Sequence, residues 1–483
     1  MSCTTILVGK KASYDGSTLI ARNDDSPTGI FTSKKLMVIE RNKQPKIYKS
    51  KISKISIPLP DTSYRFTCMP NVIKDEGIWG ACGINEKSVA MTATETITSN
   101  PRVLGADPLL KNNNHVQGIG EEDLVMLVLP YINSAKEGVI RLGKLLEEYG
   151  TYESNGIAFS DQDEIWWLET IGGHHWIARK VDDNEYVVMP NQFGLDKFDF
   201  EDAFSNQKEN MCSHDLKEFI INNHLNLNLD NEFNPRLAFG SHSDSDHSYN
   251  TPRAWFMERY LNPNTFKWDG ENANFNPLSN DIPWSLVPER KITIEDIKYL
   301  LSSHYQGTEY DPYSRFNNSC KKGAFRPIGI SRTSFMAILQ IRPYVRKENA
   351  AIEWICFGSN VFNTLIPFYT NTNKVPTYLS NTTTTVNTNN FYWANRLIGA
   401  LTDAHYNTSI IHIERYQDST MAASYNLINE YDNKINENNH TELIIEANNK
   451  IAKMIEIETN KVLDKVLYDA SCHMKNGYSR SDN

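Results

Sequence analysis

The third residue of the chain is a cysteine. Cys3 heads an alternating run, Cys3-Thr4-Thr5-Ile6-Leu7-Val8, that reads as a β-strand. Tyr14-Asp15-Gly16-Ser17 is turn chemistry, and Thr18-Leu19-Ile20-Ala21-Arg22 reads as the returning strand. With the loop centred between Ser13 and Tyr14, opposing positions sum to about 27. Cys3 then lies beside Asp24, and Arg22 faces Thr5. The hairpin places a thiol at the extreme N-terminus next to a guanidinium and two carboxylates, Asp24 and Asp25.

A free thiol titrates near 8.5, and a neighbouring cation lowers that value. An α-amino group titrates near 8, so part of it is neutral at pH 7 and acts as a base. If Cys3 became the first residue, its own amine could take the thiol proton while Arg22 favoured the thiolate. A nearby aspartate could orient the amine, as the third member of a triad does. The competing reading is a small apolar residue in a buried strand, with Arg22 and Asp25 as a surface ion pair.

The 483 residues suffice for a sizeable core, and length alone allows two or three domains. A formal charge of -10 and the lack of a basic block argue against a general nucleic-acid or anionic-membrane binder. No run of eighteen apolar residues suggests a membrane span. The start carries no basic segment followed by an apolar one, because Gly9-Lys10-Lys11 interrupts it, and this points to the cytoplasm. The seven cysteines are scattered, odd in number and without C-x-x-C spacing, which predicts neither a disulfide framework nor a zinc site. His174-His175 on a strand would point to opposite faces, and His242 and His247 lie in a Ser/Asp-rich loop, so no metal is expected at either.

Further on, Gly80 to Thr96 reads as strand, turn at Asn85-Glu86-Lys87, and strand. Glu121 to Tyr149 carries helical periodicity in two pieces, limited by Pro130 and closed by Gly150. Asn155 to Asn191 becomes a meander of four short strands, at 156–159, 165–168, 175–178 and 186–189, which predicts an antiparallel sheet. Tyr249 to Trp255 begins a helix with Pro252 in its first turn, and Thr293 with Asp296 opens another. Strands recur through residues 331–368. A helical tail follows from Tyr392 and reads as packing or oligomerisation surface, leaving a homo-oligomer open.

Several blocks carry a family likeness: Cys-Thr-Thr-Ile-Leu-Val-Gly-Lys at the start, Tyr-Asp-Gly-Ser, Ala-Arg-Asn-Asp-Asp-Ser, and Ser-His-Tyr-Gln-Gly-Thr-Glu-Tyr-Asp-Pro-Tyr at 303–313. The chain resembles the cysteine dipeptidases of the dipeptidase A type, which are N-terminal-nucleophile hydrolases. The resemblance implies an α+β fold, a four-layer αββα sandwich with a helical C-terminal extension, here a catalytic domain at 1–410 and a tail at 411–483. It implies hydrolysis of dipeptides of broad specificity through a Cys3 thioester, without cofactor or metal, once Met1 and Ser2 are lost. In the wider clan, which includes bile-salt hydrolases and penicillin V acylases, an asparagine at the end of a strand helps bind the oxyanion. Asn191 matches that role.

A clan arginine that supports the nucleophile corresponds to Arg253, and the clan spacing Arg-x-x-Asp favours Asp25 over Asp24 beside Arg22. Where those relatives carry a second oxyanion asparagine, this chain has Glu95. An ionised carboxylate cannot donate to an oxyanion, which assigns Glu95 to a cationic substrate group such as a free amino terminus. Three alternatives stay open: a non-peptide amide hydrolase of the bile-salt or penicillin V acylase type, a conventional Cys–His enzyme, and a catalytically silent binding relative.

Overall fold

The structure, a computed structural model, describes residues 3–112, 115–230, 232–315 and 319–474. Met1 and Ser2, and with them the maturation step, lie outside the described residues, as does the end of the C-terminal segment.

Thirteen strands form the two larger sheets. They are β1 (Thr4–Val8), β2 (Thr18–Asp25), β3 (Cys82–Ile84), β4 (Ala90–Thr96), β5 (Asn155–Ser160), β6 (Ile165–Ile171) and β7 (His175–Val181), then β8 (Tyr186–Pro190), β9 (Asn210–Cys212), β10 (Ser285–Leu286), β11 (Thr333–Ile341), β12 (Ala351–Phe357) and β13 (Ile366–Tyr369). One sheet runs β10-β8-β1-β2-β11-β12-β13 and the other β9-β7-β6-β5-β4-β3, every pairing antiparallel. Among the helices used below are α1 (Leu124–Val128), α2 (Ala135–Tyr149), α3 (Thr251–Leu261), α4 (Ile294–Leu301), α5 (Phe391–Ala404), α6 (Tyr406–Lys434) and α7 (His440–Cys472).

The N-terminal hairpin has the register expected from its sequence: Thr4 opposes Asn23, Thr5 opposes Arg22 and Ile6 opposes Ala21. Its turn is fixed by the Asp15 carboxylate, which accepts from the Ser17 N–H at 3.0 Å, and by Gly16 at φ 83°, where a Cβ would be strained. Both strands are buried on both faces, which explains why the run lacks polar alternation beyond its first residues.

The period of two divides this hairpin between two cores. Leu7 and Ile20 pack with Val187, Leu339 and Ile355 of their own sheet and with Ala158, Trp167 and Ile177 of the other. Ile6, Val8, Leu19 and Ala21 point away, onto Trp255 and Phe256 of α3 and Ile297 and Leu300 of α4. The second sheet buries Met91, Ile157, Phe159 and Leu168 against Leu124, Val128, Val139 and Leu142 of α1 and α2. Caps set the helix ends where the sequence placed them. Gly150 at φ 65° closes α2, and Thr293 and Asp296 form a reciprocal capping box on α4. The C-terminal region is helical, and its helices enter both cores through Met421, Ile428, Ile444, Ile451 and Ile455.

One expectation is corrected. The meander supplies only three strands to one sheet: β5, β6 and β7 pair in order, whereas β8 crosses over and pairs with β1, Pro190 opposite Thr4. All four strands are buried on both faces or nearly so, so periodicity carries no sign of which sheet each joins. The crossover matters because it delivers Asn191 to the head of β1.

Candidate active site

Cys3 sits fully buried where β1 begins, and Arg22 donates from Nη2 to its Sγ at 3.0 Å. The same nitrogen reaches Asp24 Oδ1 at 3.1 Å and Glu121 Oε1 at 3.4 Å, while Nη1 donates to the Ala81 carbonyl on the facing sheet. Asp24 in turn pairs with Lys34 Nζ at 3.1 Å, and all of these side chains are almost wholly shielded from water. Opposite charges therefore alternate along one buried row, Glu121, Arg22, Asp24, Lys34, with the thiol branching from the arginine.

Burial pushes the Cys3 thiol up to about 12; Arg22 pulls it down, but Asp24, Glu95 and Glu121 add to the rise. With its backbone still carrying the preceding residues, this thiol is held neutral, and Arg22 alone does not make it a thiolate. Burial also disfavours charge on Arg22, yet the neighbouring thiol and the two carboxylates raise its pKa on balance. Burial opposes ionisation of Asp24 as well, and Lys34 and Arg22 outweigh it, holding that carboxyl below its usual range.

A second arginine secures the backbone side. Arg253, in the first turn of α3, donates from Nη1 to the Cys3 carbonyl and to Thr4 Oγ1, and from Nη2 to Asn191 Oδ1 at 2.7 Å and Asn250 Oδ1 at 2.8 Å. Its place near a helix N-terminus is electrostatically poor for the helix, and burial and Arg326 lower its pKa to about 10. Five contacts, the fifth to the Tyr249 carbonyl, explain why it is there. Asn191 Nδ2 donates to the Thr96 carbonyl at 2.8 Å, and its backbone N–H donates to Glu95 Oε1 at 3.0 Å. Pro190 cannot donate to a ladder, and β8 ends there.

Cys3, Arg22, Asn191, Arg253 and Glu95 thus converge. Glu95 is buried with one oxygen on Asn191 N and the other accepting from Thr5 Oγ1 at 2.8 Å. Asp25 stands apart from Arg22: its carboxylate accepts from Thr333 Oγ1 at 2.6 Å and pairs with Arg326. The alternation along β2 gives Asp24, not Asp25, the contact with Arg22. The 303–313 block supports Asp25 indirectly, since Tyr305 OH binds the Arg326 carbonyl at 2.6 Å.

Sequence reasoning missed Glu121 and Lys34. The run Gly120-Glu121-Glu122-Asp123 was the available signal, three consecutive acids ahead of an apolar helix; in the structure all three are buried. The histidine pairs also differ from expectation. His174 lies in the turn before β7, so both rings reach one carboxylate, His174 Nδ1 at 3.0 Å from Asp107 Oδ1 and His175 Nδ1 at 2.7 Å from Oδ2. The Ser/Asp-rich loop is a short helix, Asp244–Tyr249, capped by Ser243. Among the described residues no three His, Cys, Asp or Glu side chains are arranged to hold a metal, and no helix is long and apolar enough to cross a membrane.

Burial raises Glu95 and Glu353 to about 8, and Asp123, Glu153 and Glu169 to about 7. In the unfolded chain such groups ionise near ~4. Between these limits the folded state binds more protons, so stability is greatest at the acid end and falls as pH rises through the folded values. Denaturant titrations should show the unfolding free energy decreasing from about pH 5 to about pH 8. A Glu95→Gln protein should lose part of that slope.

The chain is similar to known proteins over its full length. The profile of peptidase family C69 matches residues 2–419. A dipeptidase of Bifidobacterium longum is 51% identical over 532 aligned residues that span all of both chains. A probable dipeptidase A of Streptococcus pyogenes serotype M3 is 51% identical, again over the whole of both. Dipeptidase A of Lactobacillus helveticus is 43% identical over 96% of each. The chain belongs to peptidase family C69.

Proposed function

We propose that the chain is a cysteine dipeptidase whose nucleophile is Cys3 after Met1 and Ser2 are removed. The observation that carries the reading is Arg253, which joins the carbonyl of Cys3 to the amide of Asn191 and so fixes nucleophile and oxyanion donor relative to each other. In the mature enzyme the Cys3 α-amine takes the thiol proton, and Arg22 stabilises the thiolate. The sulfur adds to the peptide carbonyl, and Asn191 steadies the oxyanion. Collapse breaks the C–N bond, and the ammonium returns its proton to the departing amine. Water, deprotonated by the same amine, then cleaves the thioester and restores the thiol.

Asp25 orients the amine in this scheme. Its carboxylate is itself held by Thr333 and Arg326, which would keep it fixed in that role. Glu95 meets the free ammonium of the substrate; a cation beside it would pull its proton off and reverse the effect of burial.

The fold reading is the four-layer αββα sandwich of the N-terminal-nucleophile hydrolases, supported by one core between the sheets and one on the outer face of each. Residues 1–410 are read as its catalytic domain and 411–483 as a tail whose described part is helical and packed on it. The seven cysteines are all free thiols, which suits a reducing cytoplasm.

The test is a substrate panel with purified enzyme. Dipeptides with free amino ends should be cleaved, and their N-acetyl forms should be cleaved at least about tenfold less well for loss of the Glu95 pair. Faster turnover of a conjugated bile salt or penicillin V would contradict the reading.

A further inference from the structure

Next to the nucleophile row lies a cavity of about 390 Å³ whose walls include Asp24, Lys34, Asn71, Glu76, Trp79 and Ile30. Lys34 has no part in the mechanism above. Its side chain is 2% exposed, and the ammonium pairs with Asp24 Oδ2 at 3.1 Å and donates to the Trp79 carbonyl at 3.3 Å. Among the described residues these are its two hydrogen-bond acceptors, with the Phe335 ring 5.7 Å away, and an ammonium has three donors. A backbone bridge sets Asn71 beside it, with a buried Oδ1 that has no hydrogen-bond partner among the described residues. Buried polar atoms without partners are uncommon in folded proteins, and the Asn71 oxygen borders the same space as the Lys34 ammonium.

We propose that Lys34 anchors the α-carboxylate of the dipeptide and is the residue that makes this peptidase select two-residue substrates. The inference rests on the dipeptidase reading and adds the identity of the group that recognises the substrate's C-terminal end. Three contacts, of 3.0, 3.1 and 3.1 Å, link Cys3 Sγ to Lys34 Nζ through Arg22 and Asp24. Sulfur and ammonium are therefore no more than about 11 Å apart, allowing for the width of one carboxylate. An extended dipeptide covers that span. Its scissile carbon lies about 3 Å from an attacking atom, its carboxylate about 5 Å further along the chain, and a charge-assisted hydrogen bond closes the last ~3 Å.

The existing pair prepares the site. An arriving carboxylate shares Lys34 with Asp24, which retains Arg22, so no charge in the row is left without a partner. A longer peptide or a C-terminal amide brings a neutral group to the same place and forgoes the ionic contact. Asn71 completes the end wall: its amide can turn to offer an N–H to the carboxylate's second oxygen.

The experiment compares one dipeptide with the same dipeptide amidated at its C-terminus, in wild type, Lys34→Met and Lys34→Arg, each checked by intact mass for its N-terminus. Wild type should favour the free acid by about 100-fold, chiefly in KM. Lys34→Met should bring the two substrates to within a few-fold of each other, and Lys34→Arg should restore most of the preference. Should Lys34→Met not fold or mature, the wild-type ratio and the arginine variant still decide. Equal use of acid and amide by a wild type that cleaves dipeptides would overturn the anchor and leave the dipeptidase reading standing, as would an equal loss on both substrates in Lys34→Met. A wild type that cleaves no dipeptide would overturn both.

Discussion

A Cys3→Ala protein should lose dipeptide hydrolysis by about 10⁴-fold or more, because the proposed mechanism runs through a covalent bond from Cys3 to the substrate. Its fold should survive. The side chain lost is small, and the Arg22 guanidinium keeps Asp24 and Glu121, so stability should change by no more than about 2 kcal/mol. Steady-state hydrolysis and a denaturant melt measure the two separately. The variant should also keep Ser2 if the Ser2–Cys3 bond is cut by the Cys3 thiol. Unchanged hydrolysis would make the chain's activity independent of its first cysteine. A conventional Cys–His enzyme built on one of the other six cysteines would then be the alternative to pursue.

The second large effect belongs to Arg22. Replacing it by methionine keeps the volume and removes the one cation that Cys3, Asp24 and Glu121 share. Two buried carboxylates then confront each other, and among the described residues Asp24 retains its ion pair with Lys34 alone. Breaking a buried pair in this way costs about 3–5 kcal/mol. Activity should fall by a further factor, since the thiolate formed on proton transfer would meet negative charge with no adjacent cation. Arg22→Lys should recover part of the stability but little of the activity: one ammonium cannot span Ala81, Asp24, Glu121 and the sulfur as the planar fork does. Urea midpoints and kcat measured on all three proteins separate these contributions.

The parts of this arrangement that the sequence displays are those held by neighbours along the chain. The hairpin register, with Thr5 opposite Arg22, follows from a period of two and a turn at Asp15-Gly16, and it carries Arg22 to Cys3 without long-range information. Helix ends are similar, because the Thr293–Asp296 box and the Gly150 cap are formed within a few residues. What the sequence hides is supplied from far away. Glu121 reaches Arg22 across 99 residues and Arg326 reaches Asp25 across 301, and each looks locally like an ordinary surface charge. Lys34 is the clearest case. It stands in Ser33-Lys34-Lys35, a stretch whose composition suggests solvent, and only the tertiary fold encloses its ammonium. The choice between Asp24 and Asp25 turned on the same distinction. Alternation along the strand favoured the first and family spacing the second; the structure gives Arg22 to Asp24 and gives Asp25 to Thr333 and Arg326.

The central claim is that Cys3 acts as a terminal residue, its own amine serving as base for a thiol that burial keeps neutral while the preceding residues are attached. The N-terminus of the active enzyme tests it most directly, read by intact mass and stepwise sequencing on a preparation whose dipeptide hydrolysis has been measured. The account predicts a chain that begins at Cys3. A preparation that cleaves dipeptides at full rate while beginning at Met1 or Ser2 would contradict it.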